Sequence, residues 1–201
     1  MIKKLKEVRR KYILGKPIPK YYRIYDMAPK KGLVLDAGCG RAKLSEVLLK
    51  KENLKIIGCD TGPSSQLKNE SFEYRQIDID EGFKFKEKFD TIIFADVLEH
   101  LKKPKKILKE ASMNTDKFII SIPNLNFFLY RIFPKMEQPP KGESQHLHHW
   151  ELKEFLKILP EEFKVVKKKY CTDFPEFRWS NYLFPGISFF HQTIVMEVVR
   201  K

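Results

Sequence analysis

A chain of 201 residues with 42% hydrophobic and 13% aromatic side chains is long enough for one domain with its own core, and its composition excludes a disordered polymer. The net charge of +13 at pH 7 admits a polyanionic partner, nucleic acid or an anionic bilayer. The lysines are spread along the chain with acids between their clusters, so a solvated basic surface is the preferred reading. Cys39, Cys59 and Cys171 are odd in number and lack metal-ligand spacing, which suits reduced thiols in a cytoplasmic protein. No apolar h-region follows the basic opening residues, and no stretch reaches the roughly 18 apolar residues of a membrane span. A cytoplasmic chain is expected, with at most peripheral membrane contact.

Residues 1–31 read as a helical and aromatic lead-in, with Ile2, Leu5 and Val8 at helical spacing and Tyr21, Tyr22 and Tyr25 after Pro17 and Pro19. Residues 32–201 read as one domain in which strands and helices alternate. Leu33–Leu35 is a first strand, followed by a glycine turn and a helix carrying Leu44, Val47 and Leu48. Ile56–Asp60, Phe72–Ile77, Phe89–Phe94 and Phe118–Ile122 are further strands, and Pro104 opens a helix. A cap-like insert is expected at about 124–149, then a helix with Leu152, Phe155, Leu156 and Leu159, and two closing strands, Phe163–Tyr170 and Thr193–Val199. This order predicts an α/β fold: a doubly wound, mostly parallel seven-stranded sheet with helices on both faces. Ligands of such sheets bind beyond the carboxyl ends of the strands, where strand order reverses.

Asp36-Ala37-Gly38-Cys39-Gly40 occupies that place after the first strand. Glycines there allow a tight turn and close approach to a ligand. A nicotinamide-dinucleotide fingerprint would need a third small residue at position 43, where this chain has Lys43. Asp36 would also repel a pyrophosphate at a helix N-terminus. An acid-x-Gly-x-Gly turn suits a ligand with a cationic end and no phosphate.

The segment resembles motif I of the class I S-adenosylmethionine-dependent methyltransferases, and the resemblance extends over roughly residues 32 to 170. It implies S-adenosylmethionine as cofactor, S-adenosylhomocysteine as product, and a Rossmann-like fold. By that resemblance Asp36, Gly38 and Gly40 shape the cofactor turn. Asp60, ending the second strand, would accept bonds from the ribose hydroxyls. Asp78, with Ile79 beside it, would meet the adenine, and Asp80 is the competing carboxylate. Ala95 and Asp96 would lie near the methionine part. The Leu98-Glu99-His100-Leu101 turn is typical of the family, and His100 is read as a structural residue.

Ser121-Ile122-Pro123-Asn124 resembles a type 11/23-like subgroup that includes relatives of methionine-biosynthesis proteins, quinone O-methyltransferases and enzymes of surface-glycan pathways. Its next block, a histidine opening a helix, is matched by His146-Leu147-His148-His149-Trp150. His146 is assigned as the base facing the acceptor, because a hydroxyl must lose its proton as it is methylated. Three imidazoles in four residues can hold a divalent ion, but no cysteine or carboxylate with zinc spacing accompanies them, so no metal is expected.

Asn/Asp-Pro-Pro-aromatic, the mark of exocyclic amine methylation in nucleic acids, is replaced by Ala95-Asp96-Val97-Leu98. A cysteine nucleophile for cytosine C5 chemistry is missing there too. The aromatic segments 125–136 and 174–190 suit a lid over an apolar acceptor, a stacking surface, or a cap packed on the core. The resulting expectation is an enzyme that methylates an oxygen of a small, lipid-linked or sugar-linked acceptor. An RNA methyltransferase and a non-catalytic binding protein of the same fold are the alternatives.

Overall fold

The computed structural model describes residues 18–63, 67–136, 145–174, 177–184 and 186–201. The expected N-terminal helix through Ile2, Leu5 and Val8 lies outside these residues.

Continuous apolar runs belong in strands covered on both faces. β1 (Lys31–Ala37) and β4 (Thr91–Ala95) are such runs, with Val34, Leu35, Ala37, Ile92, Ile93 and Phe94 fully buried. They pair in parallel at the centre of a seven-stranded sheet. β2 (Asn53–Asp60) and β3 (Phe72–Gln76) extend it on one side, and β5 (Lys117–Pro123), β7 (Thr193–Arg200) and β6 (Phe163–Cys171) on the other. The order is β3-β2-β1-β4-β5-β7-β6, with β7 antiparallel to both neighbours and the other pairings parallel. Strand order reverses between β1 and β4, which opens a crevice at their carboxyl ends.

Helices cover the faces unevenly. On one face, α1 (Pro19–Met27) buries Ile24 and Met27 against β1 and α2 (Lys43–Leu48). Lysines close the C-terminal end of α1: Lys51 Nζ donates to the Tyr25 and Ala28 carbonyls, and Lys117 Nζ to that of Met27. Cations at such carbonyls satisfy groups that have no partner within the helix. The expected boundary between residues 31 and 32 thus falls inside β1, after a helix packed on the sheet.

On the other face, α3 (Pro104–Ala111) and α5 (Leu152–Leu156) bury Ile107, Leu108 and Phe155. Between β3 and β4 a 3-10 turn, Ile79–Glu81, stands where a doubly wound fold places a helix. Phe83, Phe85 and Phe89 cover the sheet there instead, with ring centroids 4.9 Å and 5.7 Å apart along the series. Their backbone is held by α3 and the residues after it, since Glu110 accepts from Phe83 N–H and Asn114 Nδ2 donates to the Phe85 carbonyl. α5 starts with a Glu151–Glu154 capping box and ends before Leu159, because Pro160 cannot continue a helix.

The insert after β5 holds α4 (Phe128–Ile132) and a 3-10 turn, Pro134–Met136. α4 and the short α6 (Ser180–Leu183) flank an aromatic cluster built on Phe127, Tyr130 and Phe174. Asn124 ties this cap to the sheet. Its buried amide donates to the Ser188 and His191 carbonyls, and its backbone N–H to the Gln192 carbonyl. Among the described residues no helix is long and apolar enough to cross a membrane.

Candidate functional site

The glycine turn after β1 is held by side chains on both sides. Asp36 is buried beneath it and accepts the Ser45 hydroxyl of α2 at 2.6 Å. Burial pushes its carboxyl up to about 6, with the charge of Asp60 adding to the effect and the Ser45 bond opposing it. Gly38 sits at φ +70°, and a Cβ there would lie 2.5 Å from Val97 Cγ2. Only glycine lets the β1 turn meet the β4 turn this closely. Gly40 N–H donates to Asp60 Oδ2 at 2.8 Å, and Gly62 N–H to Asp60 Oδ1 at 3.1 Å, so one carboxylate joins the turns after β1 and β2.

A cavity of about 290 Å³ opens at these strand ends, lined by Gly38, Cys59, Asp60, Thr61, Ile77, Asp78, Ile79, Asp96, Val97, His100 and Leu101. Asp78 caps the 3-10 turn by accepting Asp80 N–H, whereas Asp80 turns toward Lys102, whose N–H it accepts at 2.8 Å. Asp96 has φ +55° and accepts the Ser121 hydroxyl at 2.6 Å. Its second oxygen pairs with Lys20 of α1, which also lies 4.0 Å from Asp173. Burial opposes the Lys20 charge, but Asp96 and Asp173 outweigh it and hold the ammonium above its ordinary range. Burial, and then the charge of Asp36, raises the thiols of Cys39 and Cys59, the latter to about 12, and so favours their neutral form.

The expected residues therefore separate. Gly38, Asp60, Asp78, Ile79 and Asp96 line the cavity, whereas Asp36, Gly40 and Ala95 lie behind or beside its lining and shape it. Asp60 and Asp78 put negative charge against the glycine turn, while that of Asp96 is shared with Lys20, and this lining favours a ligand carrying positive charge. Lys20 was not legible in the sequence, because the partner it meets is 76 residues away.

His146 stands one ring further out, its imidazole centroid 4.8 Å from that of His100. Of the neighbouring imidazoles, that of His149 lies with its centroid 6.2 Å from that of His146. His148 Nε2 lies 2.9 Å from the Leu101 carbonyl and its ring stacks on Trp150, while His149 is exposed. Glu99, unremarked in the sequence beyond its place in the Leu-Glu-His-Leu turn, is fully buried. Ligating atoms of Glu99, His100 and His146 all lie within 4.8 Å of one another. The carboxylate that the histidine block lacks in sequence thus arrives from the β4 turn.

This sheet order, with an antiparallel β7 and a glycine turn at the β1–β4 crevice, defines the fold of the class I S-adenosylmethionine-dependent methyltransferases. Solved structures agree. An S-adenosylmethionine-dependent methyltransferase from Mesorhizobium loti superposes with a TM-score of 0.65 at 12% identity, over 90% of this chain and 98% of that one. The 1,6-didemethyltoxoflavin-N1-methyltransferase of Burkholderia thailandensis, solved with S-adenosylhomocysteine, gives 0.62 at 15% over 91% and 77%. The N-methyltransferase NodS of Bradyrhizobium japonicum, also with S-adenosylhomocysteine, gives 0.61 at 12% over 92% and 89%. No curated protein matches by sequence. The model of the methionine biosynthesis protein MetW family matches residues 19–151, and the chain belongs to that family.

Proposed function

We propose that this chain binds S-adenosylmethionine in the cavity beyond β1, β2 and β4 and methylates an oxygen of a small, lipid-linked or sugar-linked acceptor. The observation that carries this reading is the joining of Gly38, Asp60, Asp78 and Asp96 around one cavity at the point where strand order reverses. When bound, S-adenosylmethionine supplies a methyl group on a positively charged sulfur that leaves as a neutral thioether.

The chain's own residues fit that group. Each Asp60 oxygen accepts one backbone N–H and keeps a lone pair for a ribose hydroxyl. Asp78 suits an adenine amino group, and Asp36 behind the turn offsets positive charge on the methionine part, which Asp96, paired with Lys20, borders. In-line placement is the main requirement of methyl transfer. As the acceptor oxygen gains the methyl, its proton passes to solvent, and the His100–His146 edge is the basic environment for that loss.

An apolar or lipid-linked acceptor is supported by the cap. It rises from the carboxyl end of β5, the same end of the sheet as the cavity, and leaves Tyr182, Leu183 and Phe189 exposed.

Calorimetric titration of the purified protein with S-adenosylmethionine and S-adenosylhomocysteine tests the reading, with NAD as control and Asp60→Ala alongside. Micromolar binding of both, weakened at least tenfold in the variant, is the expected result. A folded protein that binds neither is a scaffold and not this enzyme.

A further inference from the structure

We infer that Glu99, His100 and His146 form a site for one divalent transition-metal ion at the edge of the cavity. Glu99 and His100 belong to the 3-10 turn after β4, and His146 lies 46 residues further along the chain than His100. Two backbone bonds fix their relation. The Glu99 carbonyl accepts Leu147 N–H at 2.7 Å and His148 N–H at 3.1 Å, so the segment bearing His146 hangs from the residue that supplies the carboxylate.

The chemistry of each donor suits a cation. His100 Nδ1 lies 3.1 Å from the Gln145 carbonyl, and a carbonyl can only accept. In the neutral ring the proton therefore sits on Nδ1 and the lone pair on Nε2. A backbone carbonyl behind one ring nitrogen is the arrangement that orients a ligating imidazole. Glu99 brings a carboxylate that is fully buried, an environment that favours neutralisation by a bound cation.

The donor atoms lie within 4.8 Å of one another. Ligands about 2.1 Å from an ion are roughly 3.0–3.5 Å apart, so rotations that move the donors by about 1 Å close the set. Two imidazole nitrogens and one carboxylate oxygen leave coordination positions open. Such a set suits Zn²⁺, Co²⁺, Fe²⁺ or Mn²⁺ better than Ca²⁺ or Mg²⁺, which favour oxygen.

His100 also lines the cavity, so the open positions border the space assigned to the acceptor. An ion there lowers the pKa of a coordinated hydroxyl and orients its oxygen. His146 then acts as a ligand, and the ion rather than a free imidazole promotes loss of the acceptor proton. This role for the ion rests on the methyltransferase reading, whereas its binding does not.

Untagged full-length protein, stripped with chelator, is titrated with Co²⁺ and followed by visible absorption, with Zn²⁺ as competitor. One equivalent is expected, with d–d bands of a nitrogen- and oxygen-ligated ion that Zn²⁺ abolishes. His146→Ala and Glu99→Gln should each weaken uptake at least about tenfold, as loss of a ligand does, and His149→Ala should leave it unchanged. Circular dichroism checks the Glu99 variant, and His146→Ala, at a half-buried position, carries the test alone if that variant unfolds. Failure of the folded protein to take up one equivalent overturns the site, as does uptake that survives His146→Ala or is lost in His149→Ala. S-adenosylhomocysteine is titrated into the same samples: metal uptake without it keeps the site and sinks the enzyme reading, and the reverse result keeps only the enzyme.

Discussion

The cavity end of the sheet and the aromatic cap beside it are held by different forces. Around the cavity a few directional contacts set the backbone: Asp60 joins Gly40 to Gly62, Ser45 holds Asp36, and Ser121 holds Asp96. The cap is a separate apolar cluster in which Phe127 meets the rings of Phe128, Tyr130 and Phe174 at 5.1 to 5.9 Å. Directional contacts demand particular residues at particular spacings, whereas apolar packing accepts many combinations of similar volume. That contrast is why one region reads as a motif and the other as a composition.

Truncation in the cap tests the division most severely. Phe127→Ala should cost about 3–5 kcal/mol, as removal of a fully buried ring does. The loss should appear as faster amide exchange in α4 and around Phe174, with β1 and β4 still protected and S-adenosylhomocysteine affinity within about threefold. Equal acceleration in β1 would show that cap and sheet open as one unit.

The next effect belongs to the cavity side. Because the folded-state carboxyl of Asp36 is raised to about 6, its stabilising contribution is complete below its ordinary value and is lost as pH rises through about 6. The displacement corresponds to about 3 kcal/mol at most. Urea denaturation at pH 4.5 and 7.5 should therefore show Asp36→Asn gaining on the native chain at the higher pH. A difference independent of pH would mean that Asp36 is not held this way.

Asp60→Ala should lower S-adenosylhomocysteine affinity tenfold or more, since charge-assisted hydrogen bonds are worth about 1.5–3 kcal/mol. The smallest effect is expected at the cap's outer face. Tyr182→Ser and Leu183→Ser, both at exposed positions, should change stability by less than about 0.5 kcal/mol. With an apolar acceptor their KM should rise while cofactor affinity holds, and a parallel loss of cofactor binding would erase the distinction between the two regions.

Much of the cavity lining was legible as strand ends. Asp36-Ala37-Gly38-Cys39-Gly40 and Asp60 stand at the carboxyl ends of β1 and β2, Asp78 and Asp96 just beyond β3 and β4, and period and turn chemistry locate strand ends in a sequence. Between β3 and β4 the sequence reading names no element, and the structure has a 3-10 turn backed by Phe83, Phe85 and Phe89, three rings that cover that patch of sheet. The histidine block was legible as a block but not as a set of roles. Sequence adjacency grouped His146 with His148 and His149, whereas the fold turns His148 onto Trp150, exposes His149, and sets His146 against His100 beside Glu99.

By itself the sequence determined the strand order's raw material: apolar runs of strand length, a glycine turn with acids around it, and an aromatic segment too irregular to be a strand. These are local properties, written in residue type and spacing. Only the tertiary structure decided which distant groups meet, such as Lys20 with Asp96 and Asp173, Asn124 with Ser188 and His191, and Glu99 with His146. Those meetings depend on how chain segments cross at the carboxyl end of the sheet, and no local spacing encodes a crossing.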